Sequence, residues 1–141
     1  MLDQIYRQLV VEHVRNKRNH RRLDGKNVKH IHYKNPTCGD VMTLYIQLSE
    51  EALIEDIAFI GEGCSISMAS ASMMTELLMG IPVDEAMKLR SAMEKLIKNG
   101  ERVEDCDLGD AVALDGVYKL RARHNCALMA WQAFDRILEN S

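Results

Sequence analysis

Residues 43–64, TLYIQLSEEALIEDIAFIGEGC, contain two apolar stretches with a polar turn between them and glycines at the end. In the stretch 43–48, apolar and polar residues alternate, which is the two-residue period of a half-buried strand. The stretch 53–60 is a second strand candidate, with Ile54, Ile57 and Phe59 as its apolar members. Because only residues 49–52 separate the two, they predict an antiparallel pair of strands.

Upstream of this pair, the sequence predicts one more strand and a helix. Residues 28–33 alternate weakly in polarity, and the turn-forming sequence NPTCGD follows at residues 35–40. Residues 15–25 are basic and turn-rich, so we expect a loop there. A first helix is predicted by an apolar stripe at helical spacing, formed by Ile5, Leu9, Val10 and Val14.

Downstream of the strands, the apolar spacing becomes helical. We expect one helix from Ser65 to Met79, and another that has Pro82 in its first turn and ends near Gly100. Asp110 is a candidate cap for a short helix that ends before residue 116. An amphipathic C-terminal helix is predicted from Leu128, Trp131, Phe134, Ile137 and Leu138. Strands followed by helices indicate an α+β fold, with helices packed on one face of a three-stranded antiparallel sheet.

The size and composition of the chain indicate one domain, residues 1–141. With 47 % hydrophobic and 28 % charged residues, it can form a packed core. No apolar run approaches the ~20 residues of a membrane span. The N-terminus lacks the basic-then-apolar order of a secretory signal. We therefore expect a cytoplasmic protein that has no membrane partner.

The net charge of −3 conceals a basic N-terminal part. Residues 1–34 contain nine Lys or Arg against three Asp or Glu, whereas the rest contains nine against eighteen. The basic residues are densest over 15–22, a pattern that could bind nucleic acid. No aromatic residues interleave there for base stacking, and the rest of the chain is acidic. We therefore expect a solvated or partner-docking arm and no nucleic-acid partner.

Three cysteines lie at predicted structural breaks. Cys38 is in the NPTCGD turn, Cys64 is where a strand gives way to a helix, and Cys126 is at the start of the last helix. Such places expose side chains, and a helix N-terminus stabilises the thiolate that binds metal. Asp40 is separated from Cys38 by one glycine, which allows both side chains to face one ion. Three thiolates and one carboxylate would fill a tetrahedral zinc site, although scattered cysteines also occur as small buried apolar residues.

The spacing of the cysteines argues against the common alternatives. The chain has no Cys-x-x-Cys pair, which disfavours zinc ribbons, thioredoxin-like sites and ferredoxin clusters. Cys106 lies within the acidic sequence 104–107, and we expect it to have no part in the site. His30 and His32 share a strand face and are expected to be partly exposed strand residues. His124, two residues before Cys126, is a candidate accessory ligand.

Three segments resemble the cysteine motifs of the IscU-like iron–sulfur cluster assembly proteins. They are NPTCGD at 35–40, GEGCSISMAS at 61–70 and RHNCALMAW at 123–131, and they occur in the family's order along nearly the whole chain. The chain is most similar to the SufU branch, which has a longer segment before the third cysteine, here Gly100 to Leu120. Arg123 matches an arginine typical of that branch. Asn125 departs from both the histidine of IscU proper and the lysine usual in SufU proteins.

The resemblance implies the SufE/IscU-like fold, a bound metal and a function. Zinc would be held by Cys38, Asp40, Cys64 and Cys126, with Arg123 and His124 as possible accessory residues. Cys38 would accept persulfide sulfur from a SufS-type cysteine desulfurase and pass it on to other cluster-assembly proteins. The protein would then be a zinc-dependent sulfurtransferase.

Two alternatives stay open at this point. The same residues could bind iron, because thiolates are ligands for both zinc and iron. The protein would then be a scaffold that carries a transient [2Fe–2S] cluster. The basic segment leaves a third reading, a structural zinc or nucleic-acid module. Salt-sensitive binding to DNA or RNA would favour this third reading.

Overall fold

The computed structural model describes residues 2–35 and 39–139, with side chains from residue 4 onward. Its elements, in chain order, are α1 (Leu2–Arg15), β1 (Val28–Lys34), β2 (Val41–Leu48), β3 (Ile54–Glu62), α2 (Ser65–Leu78), α3 (Val83–Asn99), a 3₁₀ segment (Gly109–Lys119), a 3₁₀ turn (Arg121–Arg123) and α4 (His124–Glu139). None of the helices in these described ranges combines the length and the apolar character needed to cross a bilayer.

The three strands form an antiparallel sheet in the order β1-β2-β3. On β2, Met42, Leu44 and Ile46 are buried, and the last two pair across the sheet with Phe59 and Ile57. This apolar face packs against α2 and α4. The structure therefore confirms the predicted α+β fold, with helices on one face of a three-stranded sheet.

The first helix is present, but its buried stripe differs from the predicted one. Leu9 and Val10 pack against the core as expected, together with Tyr6, whereas Ile5 is 52 % exposed. At about 100° per residue, Ile5 points roughly 100° away from the centre of this stripe. The centre includes His13, which is fully buried. Counting Ile5 in the stripe was therefore wrong, whereas the spacing of His13 from Leu9 and Val10 places it on the buried face.

The basic segment 15–22 is docked on the domain itself. Asn19 and Arg21 exchange backbone hydrogen bonds with Phe59, each 3.0 Å long, and so cover the outer edge of β3. The guanidinium of Arg21 lies 2.8 Å from a carboxylate oxygen of Asp56. Arg18 forms two further ion pairs with acidic residues of this chain. The segment is therefore not a free arm, because tertiary hydrogen bonds and ion pairs hold it, although Arg15, Arg21 and Arg22 are exposed to solvent. Docking of a partner on it stays a prediction.

The connection before α4 also differs from the prediction. The 3₁₀ segment continues through Gly116, where the predicted short helix had already ended. Leu108, and not Asp110, occupies the position before its first residue. The Asp110 carboxylate instead accepts a hydrogen bond from His13, at 2.9 Å.

The ends of α3 agree with the prediction in part. Pro82 precedes α3 directly and does not lie in its first turn, whereas Gly100 ends α3 in the left-handed conformation as expected.

Candidate metal centre

Asp40, Cys64 and Cys126 converge at one end of the sheet. Asp40 lies just before β2, Cys64 just before α2, and Cys126 in the first turn of α4. One potential ligand atom from each of them lies within 4.8 Å of the other two. The structure therefore brings together three of the four predicted ligands. Cys38, the fourth, lies outside the described residues.

The Asp40 carboxylate is held against the start of α2. Its Oδ2 accepts the backbone N–H of Cys64 at 3.2 Å and the hydroxyl of Ser67 at 2.9 Å. Cys64 occupies the N-cap position and makes no side-chain capping bond of its own. Asp40 therefore caps this helix from another segment, where the helix dipole favours a negative charge.

Gly63 leaves the space that this carboxylate occupies. A Cβ at residue 63 would lie 2.5 Å from Ser67 Oγ, 2.8 Å from Asp40 Cγ and 2.9 Å from Asp40 Oδ2. No side chain larger than hydrogen fits at these distances without displacing one of the two groups. The glycine of the GEGC sequence is therefore part of the geometry of the site.

Cys126 is fully buried, which differs from the exposed position expected at a helix start. The reason is that α4 begins against the sheet, where Asn35 covers the thiol. The Asn35 side chain is itself buried, and its amide nitrogen lies 4.0 Å from Cys126 Sγ. The backbone of Asn35 donates to the carbonyl of Asp40 and accepts from Gly39, at 2.8 and 2.9 Å. Asn35 thus connects the two sides of the NPTCGD turn to the third cysteine.

Sequence reasoning missed Asn35 and Ser67 as members of the site. Asn35 was interpreted only as a turn former, although it stands in the same motif as Asp40. The position of Ser67, three residues after Cys64, is one whose side chain lies near the N-terminus of a helix. These two positions in the sequence were the signals that could have identified both residues as members of the site.

Arg123 supplies positive charge at the two thiols. Its guanidinium donates a hydrogen bond to Cys126 and is attracted electrostatically by Cys64 and Cys126, and these interactions raise the pKa of Arg123. The arginine is exposed.

The remaining candidates have other surroundings. His124 Nε2 lies 2.9 Å from the carbonyl oxygen of Tyr118, to which this nitrogen donates a hydrogen bond. Cys106 packs against the hydrophobic core, as expected for a cysteine outside the site. His30 and His32 are exposed on β1, again as expected.

A further cluster of potential ligand atoms consists of His13, Glu76 and Asp110, also within 4.8 Å of one another. Both ring nitrogens of His13 have partners, since Nδ1 lies 2.7 Å from Ser72 Oγ and Nε2 lies 2.9 Å from Asp110 Oδ2. Glu76 also forms an ion pair with Arg18. Because its members already satisfy one another, we assign this cluster as a polar network.

The donor set at the first centre suits a metal ion. Thiolates together with one carboxylate are ligands for zinc and, through the thiolates, for iron. The structure therefore places a set of residues that could hold a metal ion at the end of the sheet of an α+β domain. The chain matches the NifU-like N-terminal domain over residues 5–127, and it belongs to that family.

Named relatives and a solved structure agree with this assignment. The chain is 41 % identical over 135 residues to the zinc-dependent sulfurtransferase SufU of Bacillus subtilis, which covers 96 % of this chain and 90 % of the relative. It is 38 % identical over 140 residues to the iron–sulfur cluster assembly scaffold protein IscU of Streptococcus pyogenes, covering 99 % and 86 %. A crystal structure from Fervidobacterium islandicum, described as a cluster assembly scaffold protein for the SUF system, has a TM-score of 0.83 at 29 % identity, covering 96 % of this chain and 97 % of that one.

Proposed function

We propose that this protein is a zinc-dependent sulfur acceptor in iron–sulfur cluster assembly. The observation that carries the proposal is the convergence of Asp40, Cys64 and Cys126, with the Arg123 guanidinium on the two thiols. The relationship to a named zinc-dependent sulfurtransferase supports it. Cysteine ligands stay reduced in a reducing compartment, which supports a cytoplasmic location.

Zinc would be held by Asp40, Cys64, Cys126 and, as the fourth ligand, Cys38. When bound, zinc keeps its cysteine ligands deprotonated and takes no part in redox chemistry. The protein's own residues prepare the site. Cys64 N–H and Ser67 orient the carboxylate of Asp40, and Arg123 offsets the negative charge of the thiolates.

Cys38 is the acceptor in this proposal. Its thiolate attacks the outer sulfur of the persulfide on the active-site cysteine of a SufS-type desulfurase. A new S–S bond forms at Cys38, the S–S bond of the donor breaks, and the donor cysteine leaves as a thiolate. Oxidation levels balance without a further reagent, because the sulfane sulfur is only exchanged between two thiolates. The persulfide on Cys38 is then available to other cluster-assembly proteins.

A desulfurase assay with Cys38→Ala tests this role. We expect the variant to lose at least about 90 % of the stimulation of cysteine turnover, since a missing nucleophile removes the transfer step itself. Mass spectrometry should show an added sulfur on the parent and none on the variant. Cys106→Ala is the matched control, because Cys106 packs outside the site, and it should behave like the parent. If Cys38→Ala stimulates the desulfurase fully, Cys38 is not the acceptor.

The second candidate function is a scaffold for a [2Fe–2S] cluster. The thiolate-rich donor set favours it, as does the Streptococcus pyogenes relative that is named a scaffold. Purification without oxygen distinguishes the two functions. One tightly bound zinc and no uptake of a cluster would support the sulfur acceptor, whereas a retained and transferable cluster would support the scaffold.

A further inference from the structure

An open groove of about 610 Å³ lies at the end of α2 that is remote from the metal centre. One of its walls consists of the end of α2 and the start of α3, and the other consists of residues 105–107. Because α2 rises about 1.5 Å per residue between Cys64 and Leu77, the groove lies roughly 20 Å from the metal centre along the helix. A molecule bound in the groove would therefore leave the metal centre accessible.

The more buried residues of the groove are apolar. Leu89 is buried, and Leu77, Ile81 and Cys106 are partly buried and pack against the core from the groove side. Pro82 adds exposed apolar surface at the start of α3. A concave apolar surface that polar residues surround is typical of sites that bind another molecule.

The rim of the groove carries an excess of negative charge. Its exposed charged residues are four carboxylates and one lysine, namely Asp84, Glu85, Asp105, Asp107 and Lys88. Within the part of the chain that the structure describes, none of these five side chains forms an ion pair. The rim therefore has a net excess of three negative charges, which attracts a cationic ligand.

The requirements of the helices explain this charge only in part. Asp84 and Glu85 lie in the first turn of α3, where the helix dipole favours negative charge. Asp107 Oδ1 accepts the backbone N–H of Gly109 at 2.9 Å. Asp105, on the other wall from α3, has a left-handed backbone with φ +67° and makes no hydrogen bond or ion pair with the described residues. Helix capping therefore does not account for the carboxylate of Asp105.

We propose that this groove binds a basic segment of a partner protein, in which an apolar side chain is flanked by lysine or arginine residues. The apolar side chain covers Leu77 and Ile81, and the flanking cations pair with carboxylates of both walls. Charge complementarity selects this occupant, because an acidic or neutral segment would leave the rim charges uncompensated. The proposal depends neither on zinc nor on sulfur transfer.

NMR titration of the full-length protein with a synthetic peptide, one phenylalanine between two pairs of arginines, tests the position of the site. Amide shifts should be confined to residues 77–89 and 105–107. The same peptide with serine in place of phenylalanine should bind at least about tenfold more weakly, because burial of the ring supplies the apolar part of the binding energy. Equal binding of the two peptides, or shifts spread over the whole acidic surface, would overturn the proposal.

A double variant, Asp105→Asn with Asp107→Asn, tests the charge. Asparagine tolerates the left-handed conformation and keeps an oxygen that accepts the Gly109 N–H, so the fold should be unchanged. Affinity for the phenylalanine peptide should fall about three- to tenfold, as expected for the loss of two exposed ion pairs. Glu50→Gln with Glu51→Gln removes the same charge from an exposed turn outside this groove, and it should bind like the parent. Equal weakening in both double variants would show that only net charge matters and would contradict the proposal.

Sedimentation of the free protein distinguishes a partner from a second copy of this chain. Arg21, Arg22 and Leu23 are themselves a basic stretch with an adjacent apolar residue, and both arginines are exposed. The parent and the Asp105→Asn, Asp107→Asn variant should sediment alike. A dimer that forms only in the parent would assign the groove to a second copy and would refute the proposed partner.

Discussion

At the scale of single residues, the geometry of the candidate metal centre depends on the absence of a side chain at Gly63. The Asp40 carboxylate and the Ser67 hydroxyl occupy the space where a Cβ would stand. Asp40 can therefore approach the N-terminus of α2 closely enough to accept two hydrogen bonds. The same contact fixes the direction in which its other oxygen can face an ion.

Gly63→Ala should weaken both the candidate metal site and the fold. A Cβ at 2.5 Å from Ser67 Oγ must displace Ser67 or Asp40, and overpacking of this kind costs about 1–3 kcal/mol. We expect zinc affinity to fall by at least about tenfold, because the orienting hydrogen bonds are lost. Chelator competition measures the affinity, and urea unfolding of the metal-free protein measures the stability.

Gly116→Ala is the control for Gly63→Ala. Its Cβ would meet no atom within 4 Å, so both affinity and stability should stay close to those of the parent. If Gly63→Ala binds zinc as tightly as this control, the close contact with Asp40 has no role in binding.

The sequence predicted the convergence of the candidate metal ligands better than the groups that orient them. Asp40, Cys64 and Cys126 could be found because few side chains bind zinc, and these three stand at turns and helix starts. Asn35 and Ser67 act through hydrogen bonds that common polar residues make almost anywhere. The burial of Cys126 depends on how α4 meets the sheet, which helical spacing does not specify.

At the scale of elements, two glycines end helices in the same backbone conformation but in different surroundings. Gly80 follows α2 with φ +82°, and Gly100 follows α3 with φ +68°. A Cβ on Gly80 would meet no atom within 4 Å, whereas one on Gly100 would lie 2.8–2.9 Å from the ring of Tyr118. Gly100 therefore also allows the 3₁₀ segment to approach the end of α3.

Alanine substitutions should separate these two effects. Gly80→Ala should cost about 1 kcal/mol of unfolding free energy, since only the left-handed conformation is strained. Gly100→Ala should cost about 1–2 kcal/mol more, because the Tyr118 ring must also move. Urea unfolding of both variants under the same conditions gives the difference. Equal losses would show that the contact with Tyr118 contributes nothing to stability.

Prediction of elements from the sequence succeeded where hydrophobic periodicity was strong. All three strands and the four α-helices were anticipated, because alternating or helical spacing reflects burial directly. The sequence predicted only a short helix within the 3₁₀ segment, and it did not predict the docking of the basic segment. The 3₁₀ segment packs through buried Leu114 and Val117, and the basic segment is held by backbone hydrogen bonds to Phe59. These contacts join residues distant in sequence.

At the scale of the whole molecule, the core stabilises the fold independently of the proposed zinc. The largest fully buried side chains include Trp131, Phe59 and Phe134, which come from α4 and β3. Burial of such apolar surface stabilises the fold without a metal, at about 25 cal/mol per Å². The candidate ligands lie at the ends of strands and helices that the core already holds in place.

Removal of zinc should therefore abolish function and leave the fold intact. A ligand present at about 1,000 times its dissociation constant stabilises the native state by about 4 kcal/mol, so chelation should lower Tm by roughly 10 °C. The far-ultraviolet circular dichroism spectrum at 25 °C should stay unchanged, while stimulation of the desulfurase disappears. Cys64→Ser, which lacks one ligand, should show little response of Tm to the chelator. Loss of helical signal when the parent is chelated would instead identify the zinc as structural, because a metal that holds a fold together cannot be removed without unfolding it.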